Sequence, residues 1–223
     1  DVVKLESTQR PDGARNGPRA FFDLLNAGKR SVAVDFSTPA GRAQLRALIE
    51  RADIVIEASR PRALQQLGID ADLVLREHPQ LTWISLTGYG RAEPQAQWIA
   101  YGDDAGVAAG LSWLMRVTTG RAVFVGDAIA DPLAGLHAAL AAWAGWRAGG
   151  GRLISIALVD VVRRCIGFDA PAHSDGWRHR AQQWKERIED DAPSAPTARA
   201  AAGVAPTLGA DNAAVFADWG LAC

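Results

Sequence analysis

The sequence predicts an α/β fold built on a parallel sheet with helices on both faces. Three features predict it. Short β-rich runs alternate with stretches of helical periodicity, the order expected of βαβ units. The run Asp53-Ile54-Val55-Ile56-Glu57 is almost continuously apolar, as a strand covered on both faces must be. Candidate helices open on Thr38-Pro39 and Asp131-Pro132 and others close on glycine, the asymmetry that real helix ends show.

In chain order, residues 2–5 read as a strand, 21–26 as a short helix ended by Gly28, and 31–35 as a second strand with Val32 and Val34 on one face. Thr38-Pro39 opens a helix whose apolar positions Leu45, Leu48 and Ile49 recur at helical spacing, with Arg42, Arg46 and Glu50 on the wet side. Residues 53–57 form the third strand, 70–77 a helix, and 82–86 a fourth strand running into the turn Gly88-Tyr89-Gly90. A small-residue helix over 103–115, a short fifth strand over 122–125, a long helix after Asp131 and a sixth strand over 153–158 follow. Past Cys165 the pattern turns polar. Residues 173–191 read as a helix, 192–206 as an Ala/Pro linker and 211–219 as a terminal helix.

The 223 residues are 48% apolar and 22% charged with net charge −1, enough chain to bury a core. Acids and bases balance along the sequence without a basic run or an aromatic-basic platform, so no nucleic-acid partner is expected. The longest mainly apolar run, residues 128–146, contains Asp131 and His137 and reads as a buried helix, so no membrane partner is expected either. Cys165 and Cys223 lie far apart without metal-ligand spacing, and no signal peptide is recognisable; the expectation is a cytoplasmic protein with reduced thiols. The chain opens at Asp1-Val2-Val3 without an initiator Met, as though already inside a strand, and reads as part of something longer.

Phosphate and metal signatures are missing from the sequence. Neither G-x-G-x-x-G nor G-x-x-x-x-G-K-[ST] occurs, Gly149-Gly150-Gly151 reads as a helix-ending turn, and His78, His137, His173 and His179 form no pair with zinc spacing. No metal site and no permanently bound cofactor are therefore expected. A serine elbow of the G-x-S-x-G type is absent too. The eight tryptophans read mostly as core, although Trp143 and Trp146, three apart on one helix face, suit an oligomer contact equally well.

What remains is Asp131, within Val125-Gly126-Asp127-Ala128-Ile129-Ala130-Asp131-Pro132. A carboxylate that opens an apolar helix is either an N-cap or a reactive anion kept charged by the backbone N–H groups and helix dipole, and the local sequence leaves both readings open. The other candidates for the site are the basic corner Asn26-Ala27-Gly28-Lys29-Arg30 and the dipeptide Ser59-Arg60 before Pro61. Arg60, Gly88 and Asp131 each follow an expected strand, which places them on one carboxyl-end rim, where open α/β sheets bind ligands. Cations beside an acid there suit a polyanionic substrate that delivers an electrophile; Lys29 and Arg60 as solvated surface charges is the competing reading.

The succession Leu25-Asn26-Ala27-Gly28-Lys29-Arg30-Ser31-Val32-Ala33-Val34-Asp35, Thr38-Pro39-Ala40-Gly41-Arg42, Ala52-Asp53-Ile54-Val55-Ile56-Glu57, Arg60-Pro61, Leu67-Gly68 and Ser85-Leu86-Thr87-Gly88-Tyr89-Gly90 resembles the family III CoA-transferases, which include formyl-CoA and carnitine CoA-transferases and alpha-methylacyl-CoA racemase. The resemblance covers residues 1–165, and Pro206-Thr207-Leu208-Gly209 with the helix to Gly220 is similar to the family's C-terminal end. It implies a Rossmann-like large domain over 1–165, a polar helical segment and linker over 166–205 too short to supply the family's small domain, and a C-terminal helix in 206–223 packing back on the large domain. The chain thus reads as a shortened member.

The resemblance further implies an intertwined homodimer, acyl-CoA and a carboxylic acid as substrates, and Asp131 as the catalytic residue. In transferases of the family this acid attacks the thioester, passing through an acyl anhydride to an aspartyl-CoA thioester. In the racemase branch an aspartate and a histidine move a proton beside the thioester carbonyl. The position matching that histidine is Gly102, within Tyr101-Gly102-Asp103-Asp104, so the reading leans to CoA transfer, with racemisation as an alternative and a catalytically silent CoA-binding scaffold as another. Asn26, Lys29, Arg30, Ser59, Arg60 and Gly102 are the implied CoA-binding positions. At Ala58-Ser59 the chain departs from the family, which there often has an asparagine or glycine and an aromatic residue.

Overall fold

The computed structural model describes residues 1–190, 194–195 and 197–221. Its elements in chain order are β1 (Val3–Ser7), α1 (Arg19–Asn26), β2 (Arg30–Val34), α2 (Pro39–Arg51), β3 (Ile54–Glu57), α3 (Pro61–Gln66), α4 (Ala71–Glu77), β4 (Thr82–Thr87), α5 (Gly102–Ala108), α6 (Leu111–Thr119), α7 (Ala130–Arg147), β5 (Arg152–Ala157), α8 (Leu158–Gly167), α9 (Asp175–Asp190) and α10 (Asn212–Asp218). The chain divides into two compact units, Asp1–Ala52 with Ala195–Cys223, and Asp53–Ser194. Every strand pair is parallel, with helical crossovers between strands, as the alternating pattern predicts.

In the first unit β1 and β2 pair in register from Val3↔Arg30 to Ser7↔Val34. The far edge of β2 is closed by residues from the other end of the chain. Asp211 Oδ2 accepts the Ser31 N–H at 2.7 Å, Asn212 Oδ1 accepts the Ala33 N–H at 2.9 Å, and Asn212 Nδ2 donates to the Ala33 carbonyl at 2.8 Å. One amide side chain thus satisfies a donor and an acceptor that a bare edge would leave open. Buried Glu6 accepts three hydrogen bonds from Arg15, at 3.0, 3.2 and 2.5 Å, and the Asp12 N–H at 2.9 Å. Helix α2 starts as expected: the Thr38 hydroxyl accepts the Gly41 N–H at 3.0 Å, and Pro39 occupies the first turn. Gly41 itself is required, because a Cβ there would lie 1.9 Å from the Asp35 carbonyl oxygen.

The second unit carries a three-stranded sheet in the order β3-β4-β5, in register from Ile54↔Thr82 and from Thr82↔Arg152. Helix α7 lies on it through Ala134, Ala138 and Ala142, which pack with Ile84, Ile156 and Val161. Residues four apart share a helix face, so this alanine row lets the helix axis come close to the sheet. Gly145 continues the row, and a Cβ there would sit 2.8 Å from Thr82 Cγ2. The large side chains point the other way, Leu136 being 70% and Leu140 65% exposed. No helix among the described residues is long and apolar enough to cross a membrane.

Four expectations need correction. The strands sort into two sheets, of two and three strands, rather than one. Residues 122–125 are not a strand: the Val123 carbonyl is taken by the Ser112 hydroxyl at 3.0 Å and Phe124 stands exposed, so apolar β-branched composition finds no sheet edge there. The helix expected over 103–115 is two helices, α5 and α6, divided at Gly110, whose φ of 104° only glycine adopts readily. Of the tryptophans, only Trp83 is buried; Trp98, Trp113, Trp143, Trp146 and Trp184 are exposed. Residues 191–193 and 196, within the expected polar helix and linker, and Cys223 lie outside the described residues.

Candidate active site

Helix α7 determines where Asp131 stands. Its last turn feeds the start of β5, and Gly145 lies beside Thr82 and Ile154 near the amino ends of β4 and β5. The helix therefore runs opposite to the strands, and its first turn, with Asp131, is at their carboxyl end. Ser59 and Arg60 follow β3 and Gly88 follows β4 at that same end. These three positions share a rim as expected, although no strand leads into Asp131; a turn at residues 126–129 does.

That turn fits tightly against the start of α5. Ala128 has φ of 48°, in the left-handed region that residues with a Cβ seldom enter. Its N–H donates to Asp103 Oδ1 at 2.8 Å, and its carbonyl accepts the Asp131 N–H at 2.9 Å. Gly102 fills the remaining space: a Cβ there would lie 2.4 Å from the Ala128 oxygen and 2.7 Å from Asp131 Oδ2. Asp131 as a residue is exposed, yet its carboxylate is shielded on the side of Gly102. This partial burial, the largest cause, pushes its pKa above the ordinary aspartate value; the Gly102 backbone N–H opposes the shift, and the charges of Asp103 and Asp104 add to it. The carboxylate is thus accessible, one-sidedly desolvated and close to two like charges.

Asp104 ties the acid cluster to the loop after β4. Its Oδ1 accepts the Tyr101 N–H at 2.5 Å, and its Oδ2 accepts the Tyr89 hydroxyl at 3.2 Å; the Tyr89 ring meets Trp98 edge-on at 5.3 Å. On the other side of that loop, Arg91 donates to the Ser85 hydroxyl at 2.8 Å and lies 3.9 Å from Glu57. Buried Glu57, the last residue of β3, accepts Trp83 Nε1 at 3.1 Å and the Ser59 hydroxyl at 3.0 Å, and burial raises its pKa in spite of these bonds. Ser59 is therefore anchored, whereas the Arg60 guanidinium is exposed, with no acid partner among the described residues. A cleft of about 340 Å³ is lined by Leu111, Leu114, Ile129, Leu133, Val162 and Ile166; its one cation, Arg180, is already paired with Asp169 at 3.0 Å. Such a lining suits an apolar group and offers little to a polyanion.

Asn26, Lys29 and Arg30 belong to the first unit, around the amino end of β2. Buried Asn26 accepts Lys29 Nζ at 3.2 Å and donates to the Phe22 carbonyl at 3.1 Å. Burial and the neighbouring Lys4 charge lower the Lys29 pKa. Arg30 is committed elsewhere, bound to Asp1 and, at 2.5 Å, to Asp218. The site residues that the sequence reading missed are Asp103, Asp104, Tyr89, Glu57 and Arg91. The adjacent acids opening α5 directly after Tyr101-Gly102 were the available signal.

Comparison with known proteins gives a consistent picture. The family model described as CoA-transferase family III matches residues 1–216. The succinate–glutarate CoA-transferase of Agrobacterium fabrum is 32% identical over 181 residues, covering 72% of this chain and 44% of its own. A subunit of succinyl-CoA:(R)-benzylsuccinate CoA-transferase from Thauera aromatica is 31% identical over 174 residues, covering 72% of this chain and 42% of its own. Among solved structures, a hypothetical protein of Mycobacterium tuberculosis superposes with a TM-score of 0.66 at 28% identity, covering 75% of this chain and 48% of that one. A CaiB/BaiF family protein from Brucella suis gives a TM-score of 0.63 at 27% identity, covering 87% and 51%. The chain spans less than half the length of these two curated relatives.

Proposed function

Given that the chain belongs to CoA-transferase family III, we propose that it moves coenzyme A between an acyl-CoA thioester and a carboxylic acid, with Asp131 as the covalent carrier. The observation that carries this reading is the Asp131 carboxylate at the carboxyl end of the sheet, accessible on one side and desolvated on the other by Gly102. A carboxylate oxygen adds to the thioester carbonyl carbon, the C–S bond breaks, and a mixed anhydride and CoA thiolate result. The thiolate then attacks the aspartyl carbonyl, releasing the donor acid as its carboxylate and leaving an aspartyl thioester. The acceptor carboxylate repeats both steps in reverse order and regenerates Asp131. Each step exchanges one acyl bond for another, which replaces one difficult transfer by easier ones.

Lys29 with Asn26 in the first unit, and Arg60 with Ser59 in the second, are proposed, each within its own unit, as contacts for CoA; Arg30 is a weaker candidate because two carboxylates already hold it. The reading extends to a cytoplasmic homodimer, with the exposed Leu136, Leu140 and Trp143 of α7 as an apolar surface suited to a subunit contact. Racemisation is disfavoured: it needs a base beside Asp131, and at Gly102 a side chain of any kind would overlap the Ala128 carbonyl.

The test is to incubate the protein with an acyl-CoA, trap with hydroxylamine or borohydride, and map the adduct by mass spectrometry. Modification at Asp131, absent in Asp131→Ala, is the expected result. An unmodified Asp131 peptide in protein that binds CoA and exchanges it between acids would overturn the assignment.

A further inference from the structure

Resting on that role for Asp131, we infer that Asp103 is a positioning residue for the nucleophile: its carboxylate fixes the Ala128 peptide in the one conformation that presents Asp131 against Gly102. Ala128 makes three connections at once. Its N–H is held by Asp103 at 2.8 Å, its carbonyl holds the Asp131 N–H at 2.9 Å, and the same carbonyl faces Gly102. A residue with a Cβ stays at φ of 48° only where its surroundings over-determine it, and relaxation to a negative φ would turn the peptide and withdraw the Asp131 acceptor. The Asp103 carboxylate supplies that constraint from a different helix, with a charge-assisted bond stronger than a neutral acceptor would give.

Position supports the same conclusion. An acid in the first turn of α5 interacts favourably with the helix dipole wherever its side chain points. Here Asp103 instead reaches across to residue 128, and its charge opposes ionisation of Asp131. A group that works against the nucleophile's charge while holding its backbone is placed for geometry.

Three variants test this. Asp103→Asn keeps an acceptor for the Ala128 N–H, Asp103→Ala removes it, and Ala128→Gly removes the steric reason that the turn needs holding. Asp103→Ala is expected to speed amide exchange at Ala128 and to slow acyl-adduct formation on Asp131 about 100-fold, the scale of a displacement of about 1 Å, with KM for acyl-CoA little changed. Asp103→Asn should stay within about fivefold of wild type, and Ala128→Gly added to Asp103→Ala should restore at least about tenfold, a coupling that a merely structural or charge role would not produce. Wild-type adduct rates and amide protection in Asp103→Ala, or equal impairment of Asp103→Asn and Asp103→Ala, would overturn the inference. If wild type forms no adduct, the CoA-transfer reading falls, and the exchange rate at Ala128 still decides whether Asp103 holds the turn.

Discussion

Replacing Gly102 by alanine puts one methyl group into a crowded point of the site. The added Cβ would meet the Ala128 oxygen at 2.4 Å, the Ala128 carbonyl carbon at 2.6 Å and Asp131 Oδ2 at 2.7 Å. Ordinary contacts need about 3.5 Å, so the 126–129 turn must retreat by about 1 Å. Two of the three atoms are backbone, and no rotamer change relieves them. Overpacking of this kind costs about 1–3 kcal/mol; at about 2 kcal/mol a chain of this size loses about 4–8 °C in melting temperature. The same displacement moves the carboxylate, and a shift of about 1 Å in a reacting group slows chemistry about 100-fold. Calorimetry and hydroxylamine trapping read the two effects. Gly135→Ala is the matched control, since a Cβ there meets nothing within 4 Å; as a helix-interior glycine replaced by alanine it should gain about 0.5–1 kcal/mol. Gly102→Ala with the melting temperature and adduct rate of wild type would refute the packing argument outright.

Other consequences can be measured separately. Asn212→Ala strips both partners from the Ala33 peptide at the edge of β2 and should destabilise the first unit by about 2–3 kcal/mol, seen as a lower denaturation midpoint; an unchanged midpoint would mean water replaces the amide without loss. Burial raises the Glu6 pKa, but Arg15, the Asp12 N–H and Lys4 together hold it below 4.5. Because the folded value lies under the unfolded one, the stabilisation is present above about pH 4.5 and is lost as pH falls through the folded pKa, so Glu6→Gln should flatten the acid limb of the stability curve. Asp131 shifts the opposite way, so adduct formation should fail on acidification at a pH above 3.8, and Asp103→Asn should move that limb downward; a limb unmoved by Asp103→Asn would place the two charges out of each other's range.

How far the sequence anticipates the site depends on whether each feature is local. Strands β2, β3 and β4 and the cap of α2 follow from composition and turn chemistry within a few residues, and they stand close to where the pattern puts them. Asp131 stands out as a candidate for the same reason, because a helix start leaves a local mark. Asp103 is not, and Gly102 is singled out only by the family resemblance, not by its packing. Their importance lies in contacts with residues 25 to 29 positions later, and Asp103-Asp104 alone looks like any pair of acids opening a helix. The lost strand at 122–125 fails in the same manner: its composition suits a sheet, but pairing needs an edge, and a side-chain hydroxyl elsewhere in the chain decides where its carbonyl goes.

Helix α7 shows why hydrophobicity alone misleads here. Its run reads as a buried helix, whereas only the alanine and glycine row is fully buried, Leu133 is half-buried against the core, and Leu136, Leu140, Trp143 and Trp146 face outward. Burying leucine instead would remove more apolar area from water, about 0.8 kcal/mol per CH₂, so the chain forgoes a gain that composition would favour. What the small row provides is distance. With alanine and glycine at the contact, the backbone of α7 settles onto β4 and β5, and its first turn comes within reach of α5, where Gly102 and Ala130 again have no bulk to hold the chains apart. The backbone at Asp131 is consequently held through Ala128, by the Ala128 carbonyl on one side and the Asp103 carboxylate on the other. In the proposed reaction, where one carboxylate meets a thioester and then a thiolate at the same point, such rigidity is an advantage, and the residues that supply closeness are small ones that a search for chemical groups passes over.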